Sequence, residues 1–371
     1  MTLATLARPE PRSPAPERAF APEAAPAPAA APSLAEALRQ VRADLAAACA
    51  PRLLGDRAAG PPPPDAVRLV APGRRARLKL RGRIGPRRTG GPAATAGQLV
   101  YAVGDLHGRY DLFLDLMARL SADSAARAAG RAPVLVLLGD YVDRGPDSAR
   151  VLEALVWLGQ ATDWWVVALK GNHEQALLRF LDEPELGVPW LRFGGGATLR
   201  SYGVEPPRAE EGTCGLVRAR DELMAAMPAA HLRRLQTLEL AATVGDYAFV
   251  HAGVAPGVAL EAQQEADLLW IRDEFLGTDR AGGALPSGQV VVHGHTRTGV
   301  RPQLEPHRIG LDTGAYETGV LTAARLDGAE VAVLQEGAAP EPEPAPEPPP
   351  PAPRPWTPVS RPTDFTRGLG Y

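Results

Sequence analysis

Residues 134–148 read VLVLLGDYVDRGPDS. An apolar run ends at Gly139, and Asp140, Asp143 and Arg144 follow almost at once. A short Val/Leu run bounded by a turn residue predicts a buried strand. A turn at its end accounts for Gly139 and for one aspartate. It does not account for a second aspartate followed directly by arginine, so the charge at this strand end needs a chemical reason.

The same pattern repeats on either side. QLVYAVGD (98–105) is a strand ending at Gly-Asp, and RYDLFLDLMARLSA (109–122) has helical spacing of its apolar residues. APVLVLLGD (132–140) precedes a helix over 146–160, and WWVVALKGN (164–172) precedes a helix over 173–182. Near-continuous apolar strands alternating with helices predict a parallel sheet covered on both faces. Ligands of such sheets bind beyond the carboxyl ends of the strands. The loops there read GDLHGR, GDYVDRG and KGNHE. Further on, WLRFGGGATLRSYG (190–203) reads as a glycine-rich loop, and helices are predicted over 219–227 and 229–236. Stretches 247–254, 289–296, 307–315, 320–326 and 330–336 read as strands of a second sheet. The fold class predicted is α/β, a two-sheet β-sandwich flanked by helices, with disordered N- and C-terminal arms.

Proline limits how much of the 371 residues is used. Of 39 prolines, 16 lie in 1–95 and 12 in 337–371, leaving 11 for the long stretch between. Ordered helices and sheets exclude most proline. Three regions follow: an Ala/Pro/Arg-rich, mostly disordered arm over 1–95, one ordered domain over 96–337, and a Pro-rich disordered tail over 338–371. Within the arm, LAEALRQVRADLAAA (34–48) is a candidate amphipathic helix capped by Ser33. The tail is a candidate docking segment for other proteins.

A net charge of −3 argues against the whole protein being a polyanion binder. The run RRARLKLRGRIGPRR (74–88) carries eight basic residues and no acidic one. It reads as a solvated linker, as an exposed edge strand at 77–84, or as an arm for an anionic partner such as nucleic acid or acidic lipid. Cys49 and Cys214 are too few and too scattered for a disulfide framework or a cysteine metal site. No apolar run approaches the roughly 18–20 residues of a bilayer span. With no signal-peptide h-region at the N-terminus, the cytoplasm is the expected compartment.

Metal-capable side chains gather at the strand ends: Asp105, His107, Asp140, Asn172, His251 and His295. One such histidine is ordinary; six placed by the same strand-end logic are not. Imidazole, carboxylate and amide oxygen together suit intermediate divalent ions rather than a soft thiolate site. Asp140, on the central strand, is placed to bridge two ions. Such a pair clamps an in-line displacement at phosphorus and lowers the pKa of a shared water. Asp143 and Arg144 then face whatever the metals bind.

The series GDLHG, GDYVDRG, GNHE, HAGV and HGHT, in this order, resembles the calcineurin-like metallophosphoesterase superfamily. GDYVDRG with GNHE is similar to its phosphoprotein phosphatase branch, especially the bacterial and phage serine/threonine phosphatases. The resemblance runs over about 98–336 and implies a metallophosphoesterase catalytic domain there. It implies hydrolysis of a phosphoprotein by direct attack of a metal-held hydroxide, with no covalent phosphoenzyme. Two divalent ions are implied, manganese first, with iron, zinc, cobalt or nickel as alternatives. Asp105, His107 and Asp140 would hold the first ion, and Asp140, Asn172, His251 and His295 the second. His173 would protonate the leaving oxygen, oriented by Asp143. Arg144 and Arg272 would bind phosphate oxygens, and Glu174 would support the site from behind.

Three positions depart from the pattern. Lys170 stands where many relatives have arginine, Arg297 where the wider superfamily often has a further histidine, and His293 is extra. The nearest competing activity is symmetrical hydrolysis of dinucleoside tetraphosphates. That branch typically has alanine at the position of Asp143 and GNHD in place of GNHE. An RNA 5′-end hydrolase and a non-catalytic phosphoprotein-binding scaffold are the remaining alternatives.

Overall fold

A computed structural model describes residues 32–53, 66–70, 93–128, 130–277, 284–297 and 299–337. The basic run 74–88 and the proline-rich tail lie outside the described residues, and with them the docking expectations for both.

In chain order the strands are β1 (Val67–Val70), β2 (Leu99–Val103), β3 (Val134–Leu137), β4 (Trp165–Ala168), β5 (Ala241–Val244) and β6 (Tyr247–Val250). They continue as β7 (Val290–His293), β8 (Gln303–Glu305), β9 (Arg308–Gly310), β10 (Leu321–Asp327) and β11 (Glu330–Glu336). They form two mixed sheets, one ordered β11-β10-β2-β3-β4 and the other β1-β5-β6-β7-β9-β8. The pairs β2–β3, β3–β4, β6–β7 and β7–β9 are parallel.

Side-chain alternation along β2 shows how the core is divided. Leu99, Tyr101 and Val103 join the cluster beneath the helices, whereas Val100 and Ala102 join the cluster between the sheets. Both faces are covered, so every residue of the strand is buried and the sequence reads as an unbroken apolar run. The inter-sheet layer is completed by Val134, Val136, Phe249, Val292 and Ile309. A third cluster, including Val250, Leu268, Phe275 and Val291, covers the outer face of the second sheet.

The helices against the first sheet are α1 (Leu34–Ala48), α2 (Tyr110–Arg127), α3 (Ser148–Ala161), α4 (Asn172–Asp182), α5 (Gly187–Trp190), α6 (Gly196–Ser201), α7 (Gly212–Ala226) and α8 (Ala229–Gln236). The two-sheet sandwich flanked by helices is the architecture read from the sequence. Three expectations change in detail. First, β10 and β11 belong to the first sheet, where β10 runs antiparallel to β2, because the hairpin turning at Gly328 places Ala324 and Leu326 in the inter-sheet core.

Second, residues 190–203 are largely helical, with a π-helical turn over Leu191–Gly195 joining α5 to α6. Gly194 takes a left-handed φ of 106° at this kink. Third, the 1–95 region holds the expected helix over 34–48 and, in addition, the strand β1. Helix α1 is capped by Ser33, whose hydroxyl accepts from the Glu36 N–H while the Glu36 carboxylate accepts from Ser33. Its buried stripe, Leu38, Val41 and Leu45, packs on α2 and α3, and β1 pairs with β5. No helix among the described residues is long and apolar enough to cross a membrane.

Candidate metal centre and phosphate site

The carboxyl ends of β2, β3, β4, β6 and β7 converge, and each delivers polar residues to one buried place. Asp105 and His107 follow β2, Asp140 follows β3, and Asn172 with His173 opens α4 after β4. His251 follows β6 and His295 follows β7. All seven are buried. Six non-glycine residues among those described have a left-handed φ: Ala96, His107, Asp140, Asp143, Arg144 and His295. Five of these are residues picked out from the sequence for chemistry, and strain of this kind persists only where surrounding contacts hold it. Two glycines make room for the carboxylates. A Cβ on Gly171 would lie 2.1 Å from Asp140 Oδ1, and one on Gly294 would lie 2.0 Å from Asp105 Oδ1.

Asp140 stands at the centre of two donor groups. His107, Asp140 and His173 form one, and Asp140, His251 and His295 the other; the ligand atoms of each group lie within 4.8 Å of one another. Asp140 Oδ2 is 3.5 Å from His107 Nε2, and Oδ1 is 3.4 Å from His251 Nε2. The Asn172 amide oxygen joins the second group, 3.0 Å from His251 Nε2 and 2.9 Å from His295 Nδ1. Asp105, expected beside His107 and Asp140, is outside both tight groups. Its carboxylate accepts from the His295 N–H at 3.0 and 3.2 Å. His173 occupies the third place in the first group.

These residues fit divalent cations. With Nδ1 protonated, His107 donates to the Val142 carbonyl and His251 to the Leu138 carbonyl, each at 2.9 Å, so both Nε2 lone pairs point inward. His295 Nε2 is buried with no hydrogen-bond partner. Burial pushes the imidazoles down, His107 to about 3 and His295 to about 2, and lowers His251 as well. All three are therefore neutral donors. Burial opposes ionisation of Asp140, but His251, His173, His107 and His295 around it hold its pKa below the usual carboxylate range. Burial, with the charges of Asp312 and Asp140, raises Asp105. Crowded carboxylates and inward-facing lone pairs in a dry space are satisfied by a cation.

A second constellation adjoins the first. His173 Nδ1 lies 2.7 Å from Asp143 Oδ2. Burial opposes protonation of His173, but Asp140 and Asp143 outweigh it and raise its pKa. The Glu174 carboxylate accepts from the backbone N–H groups of Asp140 (2.8 Å), Tyr141 (2.7 Å), Val142 (3.2 Å) and Gly171 (2.8 Å), fixing the GDYVD turn against α4. Arg144 is exposed at the rim, with Nη1 3.2 Å from His107 Nε2 and its guanidinium 4.8 Å from the Tyr316 ring centre. Arg272 is also exposed, and its charge acts on His251 and His295. Phe193 and Trp270 are partly exposed aromatic rings beside His173 and His295, their own centres 5.9 Å apart.

The family described as calcineurin-like phosphoesterase matches residues 99–299, more than half of the chain. The chain belongs to this family. It is a hydrolase of the metallophosphoesterase class, a family that uses divalent metals, and the donor groups above are where such metals fit. Serine/threonine-protein phosphatase 1 of Salmonella typhimurium is 29% identical over 231 residues, 61% of this chain and 91% of that protein. A symmetrical bis(5′-nucleosyl)-tetraphosphatase of Acidovorax is 32% identical over 163 residues, 42% of this chain and 44% of that protein. The chain thus spans less than half the length of the second relative. A solved structure of a putative diadenosine tetraphosphatase covers 64% of this chain and 94% of its own at 21% identity, with a TM-score of 0.43, too low a likeness to argue from.

The structure also brings to this place residues that the strand-end reading passed over. Asp312 follows β9 and is buried, with its charge acting on Asp105. The stretch HRIGLDTGA ends its strand with an aspartate just as the others do, so the signal was present. Trp190 and Thr198 bond to Asp143, and Tyr316 packs edge-on against His107 with ring centres 5.3 Å apart. The glycines at 194–196 with TLRSYG resemble a loop of bacterial family members expected to border the substrate groove, but that resemblance singled out neither Trp190 nor Thr198, and both reach Asp143 through tertiary folding. The three departures are accounted for locally. Lys170 pairs with Glu265 at 3.3 Å and Arg297 with Glu317 at 2.6 Å. His293 is buried edge-on against Phe275.

Proposed function

We propose that this metallophosphoesterase is a serine/threonine protein phosphatase with a dinuclear centre. The observation that carries the reading is the buried Asp143–His173 pair at 2.7 Å, adjoining the donor groups around Asp140. Asp105, His107 and Asp140 would hold one ion, with Asp312 and His173 close by. Asp140, Asn172, His251 and His295 would hold the other. Manganese suits this mixture of imidazole, carboxylate and amide oxygen, with iron, zinc, cobalt and nickel as alternatives. When bound, the ions supply Lewis-acid stabilisation of the phosphoryl oxygens and lower the pKa of water.

The chain's own residues do the rest. Arg144 and Arg272 bind and orient the phosphate as guanidinium forks. His173, with Nδ1 fixed by Asp143, gives its Nε2 proton to the leaving oxygen as the phosphorus–oxygen bond breaks. An alkoxide leaves poorly without that proton. Water supplies the new oxygen on phosphorus, so the products are the free hydroxyl and inorganic phosphate.

The relatives support a second reading equally: symmetrical hydrolysis of dinucleoside tetraphosphates. Asp143 and Glu174, where that branch typically has alanine and aspartate, favour the protein phosphatase. The deciding experiment is a substrate panel run on metal-stripped protein reloaded with each metal in turn. It sets phosphoserine, phosphothreonine and phosphotyrosine peptides beside diadenosine tetraphosphate. A much higher kcat/KM for the dinucleotide would overturn the first reading in favour of the second.

A further inference from the structure

We infer that the helical segment 190–201 is part of the catalytic apparatus, and that Trp190 and Thr198 are positioning residues that aim Asp143 at His173. The inference rests on the reading above, in which His173 supplies the leaving-group proton.

Asp143 has no exposure to solvent, so its carboxylate must be satisfied by protein. Oδ2 accepts from the Trp190 indole N–H at 2.9 Å and bonds His173 Nδ1 at 2.7 Å. Oδ1 accepts from the Thr198 hydroxyl at 2.6 Å and lies 3.1 Å from the same indole nitrogen. The Thr198 oxygen in turn accepts from the Asp143 N–H at 2.9 Å. One hydroxyl therefore grips both the side chain and the backbone of Asp143. Ser148, 3.1 Å from each of the Asp143 nitrogen and the Thr198 oxygen, closes the ring. Apart from the His173 nitrogen, the hydrogen-bond donors to this carboxylate among the described residues both come from segment 190–201.

The backbone needs the same support. Asp143 and Arg144 are consecutive residues in the left-handed region, with φ of 72° and 68°. Non-glycine residues stay there only when neighbouring structure holds them. The Arg144 N–H donates to the Gly194 carbonyl at 3.3 Å, and a Cβ on Gly194 would meet the Arg144 nitrogen at 2.9 Å. The π-helical turn and Gly194 thus let the segment lie directly against the strained pair.

Trp190 also ties this clamp to the helix that carries His173. Its ring stacks on Phe180 of α4, centres 4.6 Å apart, and a Cβ on Gly195 would meet it at 2.4 Å. Phe180 lies seven residues beyond His173, on the same face of α4. A shift of α4 would therefore move the indole, Asp143 and His173 together. The segment fixes the angle at which Asp143 meets His173 Nδ1, and with it the direction of the proton on Nε2.

A purely structural role and a positioning role predict different kinetics. A destabilised site loses activity on every substrate alike. A misaimed proton donor loses most where the leaving group most needs a proton. The test uses Trp190→Phe, which keeps the stacked ring but removes the N–H, Thr198→Val, which removes the hydroxyl, and Thr198→Ser, which keeps it. Each full-length variant is assayed on phenyl phosphates graded in phenol acidity, with metal content and Tm measured alongside.

We expect Thr198→Val and Trp190→Phe to lower the ratio of kcat on phenyl phosphate to kcat on 4-nitrophenyl phosphate by roughly 10-fold, within the range of general acid catalysis. KM should change little, and Thr198→Ser should restore most of the ratio. Equal losses across the series, no loss, or a Thr198→Ser variant that behaves as Thr198→Val would overturn the inference. His173→Ala, run in parallel, separates the two levels. If it fails to steepen the dependence on leaving group, the proton-donor reading itself falls. If it steepens the dependence while the clamp variants do not, only the present inference falls.

Discussion

Arg42 on α1 donates to the Glu153 carboxylate on α3 at 2.6 Å. The other oxygen of that carboxylate lies 2.9 Å from His231 on α8, whose far nitrogen is 2.7 Å from the Tyr202 hydroxyl at the end of α6. A helix from the expected arm is thus joined through Glu153 to elements that flank Thr198. Leu38, Val41, Leu45 and Cys49 are buried on the same side.

Removing α1 should therefore destabilise the domain. Each buried leucine or valine contributes about 1.5–3 kcal/mol, partly offset by the entropy of ordering the helix. A chain beginning near residue 95 should lose on the order of 3–6 kcal/mol by denaturant unfolding relative to one beginning near residue 32. Equal unfolding midpoints and slopes for the two chains would show that α1 contributes nothing to the fold.

His231 should make stability sensitive to acid. Burial lowers its pKa, and Glu153 only partly offsets this. The unfolded chain binds this proton below about pH 6.5, whereas the folded chain takes it up only at lower pH. The contribution is fully present above pH 6.5 and is lost as pH falls toward the folded value. Between about pH 6.5 and 5, Tm at fixed metal concentration should fall faster for the wild type than for His231→Gln. Parallel curves for the two proteins would remove His231 from the account.

What could be read from the sequence depended on range. Alternation along β2 and the Gly-Asp at its end are local signals, so strand, sheet face and strand-end chemistry were legible together. The destination of β10 was not, because Leu321–Asp327 has the composition of a strand in either sheet, and only its pairing with β2 decides. Helix α6 was hidden by three consecutive glycines, of which Gly194 is required by the close approach to Arg144 and Gly195 by the Trp190 ring. Trp190 and Thr198 reach Asp143 across 47 and 55 residues, a distance over which spacing carries no information.

Asp140 should govern metal content more than any neighbouring ligand, since its two oxygens face different donor groups. Asp140→Asn should lower metal stoichiometry and activity together. His173→Ala should keep its metals while losing most turnover on alkyl phosphates, its Nε2 lying farther from Asp140, at 3.9 Å. Elemental analysis of both purified variants checks this. A His173→Ala protein empty of metal would mean that the imidazole is a ligand rather than the proton donor.

Asp143 separates the two enzyme readings. If it orients a protonated His173, its loss should hurt most where the leaving oxygen is most basic. A serine alkoxide needs a proton to leave, whereas nitrophenolate hardly does. General acid catalysis contributes about 10²–10⁴-fold, so Asp143→Ala should reduce hydrolysis of a phosphoserine peptide far more than that of 4-nitrophenyl phosphate. Diadenosine tetraphosphate releases a nucleotide phosphate whose conjugate acid is strong, so its hydrolysis should be the less affected by the substitution. The wild type should also prefer the phosphopeptide to the dinucleotide. If instead the dinucleotide is much the better substrate and Asp143→Ala leaves its hydrolysis intact, the enzyme is a dinucleoside tetraphosphatase in which Asp143 has no catalytic part.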